Sequence, residues 1–290
     1  MSRPRGFIES YRPHAGTREL IEQVREVLAE YEAMLPLTIR QVFYRLVAQR
    51  GYAKTEAGYN RLCETLNKAR RAGFIDMAAI RDDGFSLTRV SGFTGMADIL
   101  ATYRAHASEV TLDRQQGQPG RLLVWCEAQG MVPMLERVTG PYGVPVASSG
   151  GFDSLTAKHD MAAQFAAMDQ PTVLHVGDYD PSGVHMFSSL AEDVIAFMDA
   201  MGGRVNFQRL AVTTEQRDRY NLPTAPPKKT DRRAFADTST VQCEALPPDV
   251  LLQIVEDAIT ERMDMDEYAD VLVREQAVQA ELLERLEGAA

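Results

Sequence analysis

Apolar residues near the N-terminus recur with the 3.6-residue period of helices that bury one face. Leu20, Ile21, Val24, Val27, Leu28 and Tyr31 stripe residues 17–34, with Thr17 placed to cap the start and Pro36 following the end. A second helix begins after Thr38 and carries one stripe of Ile39, Val42, Phe43, Leu46 and Val47, and Gly51 ends it. A third covers residues 56–72, with Gly73 as its stop. Residues 74–89 hold short apolar pieces broken by Asp82-Asp83-Gly84, the pattern of a small hairpin or wing. Three short helices and a hairpin predict a winged-helix module whose third, basic helix reads a DNA groove. A plain helical bundle is the alternative.

The period changes further along. Residues 92–110 predict a connecting helix, and the polar, breaker-rich stretch 113–120 marks a domain boundary. Short apolar runs at 121–126, 144–148, 172–176 and 204–212 read as buried strands, and helical patterns over 131–138, 153–168 and 182–201 lie between them. Such alternation predicts an α/β fold with a parallel sheet, right-handed crossovers, and strand carboxyl ends gathered on one ligand-binding edge. Residues 217–237 are irregular, kept so by Pro223, Pro226 and Pro227. They are basic through Lys228, Lys229, Arg232 and Arg233, which fits a solvated loop or a DNA contact. Residues 248–287 are helical and acidic, a solvated helix or an arm for a partner.

The candidate chemistry lies at the strand ends. The run Arg121-Leu-Leu-Val-Trp-Cys126 stops abruptly at Glu127, and the run 172–176 stops at Gly177-Asp178-Tyr179-Asp180. Asp178 and Asp180 are two apart, so an extended chain points both the same way. Three carboxylates on one edge repel each other unless a hard cation lies between them, and oxygen ligands without paired His or Cys suit Mg²⁺, with Mn²⁺ as a substitute. The plainer alternative is a strand-end Asp that only caps the next helix.

Charge adds a second feature. The chain has 290 residues and a net charge of -10, which argues against nucleic acid as a partner. Residues 38–71, however, hold eight basic side chains against Glu56 and Glu64, a local +6. Cys63, Cys126 and Cys243 are odd in number and far apart, so they imply neither a disulfide framework nor a zinc site, and a reducing, cytoplasmic setting is expected. No apolar run is long enough to span a bilayer, and the first residues lack the apolar core of a signal peptide.

A Glu ending one strand and Asp-x-Asp ending a later one resembles the Toprim domain of topoisomerases, primases and nucleases. The longer run Asp178-Tyr-Asp-Pro-Ser-Gly183 is similar to the Asp-x-Asp-Pro-x-Gly of the topoisomerase VI A subunit and its relatives that make meiotic double-strand breaks. Gly150-Gly-Phe-Asp-Ser-Leu-Thr156 looks like that family's Gly-x-Pro-Asp segment, with Phe152 where the family has Pro. Val241-Gln-Cys-Glu-Ala-Leu246 resembles a segment near the family's C-terminal region. Upstream, Thr38-Ile-Arg-Gln-Val-Phe-Tyr44 is similar to the Arg-x-x-Phe/Tyr-Tyr run of the family's winged helix, whose last Tyr is the nucleophile.

The resemblance implies a winged-helix domain with its connecting helix over residues 1–112. It implies a Rossmann-like Toprim domain with a helical extension over 121–290. It further implies Tyr44 as nucleophile, Arg40 beside it, and Glu127, Asp178 and Asp180 as ligands of Mg²⁺, with Glu127 also placed to move a proton. Helix geometry agrees that Tyr44 lies off the apolar stripe and that Arg40 is one turn before it. An aromatic half out of a core, its hydroxyl wet, is the ordinary alternative. Arg45, Arg61, Lys68, Arg70 and Arg71 are the expected DNA contacts. The expected partners are duplex DNA, close to the nucleoid, a second copy sharing composite active sites, and a separate ATPase subunit. Two other functions fit the motifs: a Toprim nuclease that activates water without Tyr44, and a non-catalytic DNA-binding subunit.

Overall fold

The computed structural model describes residues 6–81, 92–148, 155–228, 231, 233 and 235–288. Helix α1 (Ala15–Glu30) starts earlier than its apolar stripe suggests, because the His14 ring, not Thr17, caps it by accepting from the Thr17 N–H. Helix α2 (Ile39–Arg50) follows a capping box: Thr38 Oγ1 accepts from the Gln41 N–H at 3.1 Å, and Gln41 Oε1 accepts from the Thr38 N–H at 2.8 Å. It ends at Gly51, whose φ of 64° suits a residue without Cβ. Helix α3 (Glu56–Arg71) is capped by Thr55.

Of the segment expected to form a wing, residues 74–81 are described. A two-residue strand β1 (Leu37–Thr38) pairs in parallel with β2 (Ile80–Arg81), so the chain after α3 returns to the start of α2. Residues 82–91, the rest of the expected wing, lie outside the described residues.

Helix α4 (Met96–Ala105) leads into the stretch expected to be a loose boundary. That stretch is held down. Gln115, buried, donates to the carbonyls of Leu122 at 3.2 Å and Gly143 at 2.9 Å, and Arg121 forms a paired ion bridge with Asp113.

A four-stranded parallel sheet follows. Strands β3 (Leu122–Cys126), β4 (Val146–Ser148), β5 (Thr172–Val176) and β6 (Asn206–Ala211) lie in the order β4-β3-β5-β6. Successive side chains leave opposite faces of each strand. Leu122, Val124, Cys126, Leu174 and Val176 therefore enter one core, and Trp125 and Val173 enter another. The first core is closed by α5 (Val132–Thr139) and α9 (Pro248–Thr260) and continues without a break into Leu20, Val24, Val42, Leu46, Leu62 and Leu66 of the N-terminal helices. The second is closed by α6 (Leu155–Phe165) and α7 (Pro181–Ala200). The result is a mixed α/β fold with helices on both faces of the sheet. Among the described residues no helix is long and apolar enough to cross a membrane.

After the short helix α8 (Thr214–Arg219), α9 and α10 (Met265–Gly288) complete the chain. Helix α10 buries only Val271 and Glu275. The Glu275 carboxylate accepts from the Leu112 N–H at 2.9 Å and from Arg114 Nη2 at 2.6 Å, so one charged side chain pins α10 to the stretch before the sheet. Removing one partner of a buried pair strands the other. Glu275→Ala is therefore expected to cost about 3 kcal/mol, measured by chemical denaturation at pH 7. A midpoint unchanged from wild type would show that α10 is held by apolar contacts alone.

Candidate active site at the strand ends

The β3–β5 register pairs Cys126 with Val176, which brings Glu127 and Gly177 out of the sheet at the same level. The Glu127 N–H donates to the Val176 carbonyl at 3.0 Å, and Glu127 Oε2 accepts from the Asp178 N–H at 2.6 Å. Gly177 makes this approach possible. A Cβ there would overlap Glu127 Oε2 and the His175 ring. Gly177→Ala is expected to displace the Glu127 carboxylate and cost about 2 kcal/mol by overpacking, seen as a lower melting temperature. Wild-type stability in that variant would mean that the carboxylate has room to move aside.

Each of the three carboxylates uses one oxygen on a backbone N–H. Asp178 Oδ1 accepts from Cys243 at 2.8 Å, and Asp180 Oδ1 accepts from Gly183 at 2.7 Å as the cap of α7. For Asp180 the capping role is thus real and coexists with its place at the site. Burial, followed by the neighbouring charges of Asp178 and Asp180, pushes the Glu127 carboxyl up to about 7 against the Asp178 N–H and Arg209. Burial also raises Asp178, opposed by its bonds from Cys243.

Beneath Glu127 lies His175, fully buried between the rings of Trp125 at 4.4 Å and Phe187 at 4.6 Å. Burial, and then Arg209, holds its pKa well below the ordinary value, so its approach to Glu127 Oε1 at 4.0 Å is not an ion pair. Among the described residues neither ring nitrogen of His175 nor Glu127 Oε1 has a hydrogen-bond partner.

Three carboxylates, two of them with raised pKa values, and an unpartnered buried Oε1 are the donor chemistry a hard divalent cation uses. Among the described residues no three His, Cys, Asp or Glu side chains are already gathered as a metal cage. The residues fit such an ion in kind, and a bound ion would require their free oxygens to turn inward.

Tyr44 meets this edge within the same chain. It is only 5% exposed, so the alternative of an aromatic half out of the core with a wet hydroxyl does not apply: residues 241–245 cover this part of α2. Its hydroxyl donates to Gln242 Oε1. Burial, then the charges of Asp178 and Glu244, raise the phenol well above its ordinary value, and Arg40 opposes them only in part. Arg40 thus does favour the phenolate, but burial outweighs it. Tyr44 and Asp180 line one cleft within a single chain.

The segment 241–245 does the joining. Val241 forms an antiparallel bridge with Tyr179. Gln242 takes the Tyr44 hydroxyl, and the Cys243 N–H holds Asp178. Glu244, buried, accepts from Thr38 Oγ1 at 3.2 Å and pairs with Arg40 at 3.5 Å. The Ala245 carbonyl accepts from Arg45. Its local sequence has no period, so only the run Val241-Gln-Cys-Glu-Ala-Leu246 could have drawn attention to it.

Two adjoining clefts open here, of ≈ 350 Å³ and ≈ 600 Å³. Tyr44, Lys54, Lys228 and Gln242 line both. Asp180, Ser182 and Arg233 belong to the first, Arg40 and Tyr59 to the second. Lys54, counted in the sequence only as one of the eight basic side chains of residues 38–71, lies with Nζ 5.4 Å from the Tyr44 ring centre and donates to the Pro223 carbonyl at 2.7 Å. Burial pushes its ammonium down to about 8.

None of the expected DNA contacts lines these clefts. Arg45 is corrected outright: it is 4% exposed and spends its guanidinium on the Ala245 carbonyl inside the fold. Arg61 lines a different hollow beside Gly16 and Glu19. Lys68 is exposed. Arg70 donates to the carbonyls of Met77 and Ile80, tying down the backbone that follows α3, and Arg71 donates to that of Gly6, near the start of the described chain. Residues 150–154 of the Gly-x-Pro-Asp-like motif, and Lys229 and Arg232, lie outside the described residues. No protein-family model, curated protein or solved structure matches the chain.

Proposed function

We propose that this protein cleaves a DNA phosphodiester by tyrosine transesterification, with all the reacting groups on one chain. One observation carries the reading: the Tyr44 side chain and the strand-end carboxylate Asp180 line one cleft whose walls also bear Lys54, Lys228 and Arg233. A nucleophile, an acidic centre and a cationic wall in one hollow are what attack on a phosphodiester needs.

In this reading the Tyr44 oxygen forms a bond to phosphorus while the bond to the 3′ oxygen breaks. The products are a 5′-phosphotyrosyl link and a free 3′ hydroxyl. The phenol proton must leave as the bond forms, and the 3′ oxygen must gain one. Glu127, with its carboxyl near 7, suits such a transfer at neutral pH. Lys54, Lys228 and Arg40 offset the phosphate charge. Glu127, Asp178 and Asp180 would hold Mg²⁺, which when bound neutralises phosphate oxygens and the departing oxygen.

A second reading, a nuclease that activates water at the carboxylates, is favoured by the closed surroundings of Tyr44 and its raised phenol pKa. A denaturing gel separates the two. Protein that stays attached to radiolabelled DNA supports the transesterase. Plasmid nicking in Mg²⁺ without any attached protein supports the nuclease, and neither result in any divalent ion removes both.

A further inference from the structure

The bond from the Tyr44 hydroxyl to Gln242 joins two parts of the chain that the sequence holds far apart. Gln242 is fixed on both sides. Before it, Val241 and Tyr179 exchange backbone hydrogen bonds at 2.8 and 3.0 Å. After it, the Cys243 N–H is held by Asp178 at 2.8 Å. Its side chain therefore hangs from the strand end that carries the carboxylates, half-buried and on the wall common to both clefts.

A phenol has one proton and two lone pairs. An acceptor that fixes the proton also fixes where the lone pairs point. Gln242 is neutral, so it can accept this bond beside Asp178 and Glu244 without adding a third negative charge. A carboxamide cannot take the proton outright, so it orients the oxygen and leaves deprotonation to another group. Resting on the transesterase reading, we propose that Gln242 is a positioning residue for the nucleophile. It holds the Tyr44 proton, turns the phenol lone pairs to the cleft, and sets the distance between Tyr44 and the strand end bearing Asp178 and Asp180.

The test uses the full chain and two variants. Gln242→Met keeps the length and removes the acceptor, and Gln242→Glu keeps an acceptor oxygen. The expected result for Gln242→Met is an unchanged melting temperature, an unchanged KM for DNA, and a rate of covalent adduct formation lower by roughly 100-fold, the scale of a misplaced reacting atom. Gln242→Glu, which keeps the acceptor but adds the third negative charge, recovers part of that rate. Tyrosine isotope-labelled at the hydroxyl-bearing ring carbon gives an independent readout. The Tyr44 resonance, assigned by its loss in Tyr44→Phe, shifts in Gln242→Met and stays near its wild-type position in Gln242→Glu. An unshifted resonance, or an undiminished adduct rate in Gln242→Met while wild type forms adduct normally, overturns the positioning role and leaves the transesterase reading intact. Wild-type protein that forms no adduct overturns both.

Discussion

Tyr44→Phe is expected to leave no protein attached to DNA on a denaturing gel, because the variant has no oxygen with which to form the phosphotyrosyl bond. The loss should fall below detection, whereas folding should change little. Phe keeps the ring in its contacts with Phe43 at 5.3 Å and with Lys54. It removes one hydrogen bond to a half-buried amide, worth about 1 kcal/mol. The geometry adds a sharper expectation. Tyr44 and the carboxylates are brought together in one chain, so mixing Tyr44→Phe with Glu127→Ala should not restore cleavage. Recovery of nicking in the mixture would show that the working site is shared between two copies. Unimpaired cutting by Tyr44→Phe alone would transfer the chemistry to activated water.

Glu127→Gln should have the next largest effect, and it can be read without any DNA. The wild-type carboxyl stays protonated in the folded chain up to about 7, well above its ordinary value, chiefly because it is buried. Between the unfolded and folded values the native state holds a proton that the unfolded chain has already lost. Stability therefore falls as pH rises through that window and is level above it, a total change of about 3 kcal/mol. Gln cannot ionise, and its amide oxygen can still accept from the Asp178 N–H. In the absence of divalent ions the variant should lose this slope and melt above the wild type at pH 8, while cleavage disappears. Parallel pH profiles of wild type and variant would mean that Glu127 ionises normally.

The parts of this arrangement that were legible in the sequence are those encoded locally. The stripes of α1 and α2 and the runs of β3 and β5 announce themselves through periodic burial, and the abrupt change from Cys126 to Glu127 marks a strand end. Thr38 and Gly51 bracket α2 as the capping rules require. What stayed hidden depends on contacts between distant segments. Tyr44 and Arg45 read as exposed because they lie off the stripe of α2, yet residues 241–245 cover them from some two hundred positions away. The pairing of β1 with β2 involves two residues on each side, too few to impose an alternating pattern. Lys54 and Gln242 lie in backbone without a period, where side-chain type alone distinguishes nothing. Arg70 and Arg71 counted toward a basic patch, but charge counting cannot see that both are bonded to nearby carbonyls.

The late position of the segment 241–245 also sets the order in which the protein acquires its chemistry during synthesis. Tyr44, Glu127 and Asp178 all leave the ribosome before Gln242 and Cys243. Until those two residues emerge, the hydroxyl has no acceptor and Asp178 lacks the N–H that orients it. A nascent chain can thus carry every group of the proposed reaction before Tyr44 and Asp178 are oriented, and on that reading stalled chains released before and after this segment should differ abruptly in their capacity to attack DNA. On the proposed transesterase reading, an unfinished chain is kept from breaking DNA by where in the reading frame its last brace is written.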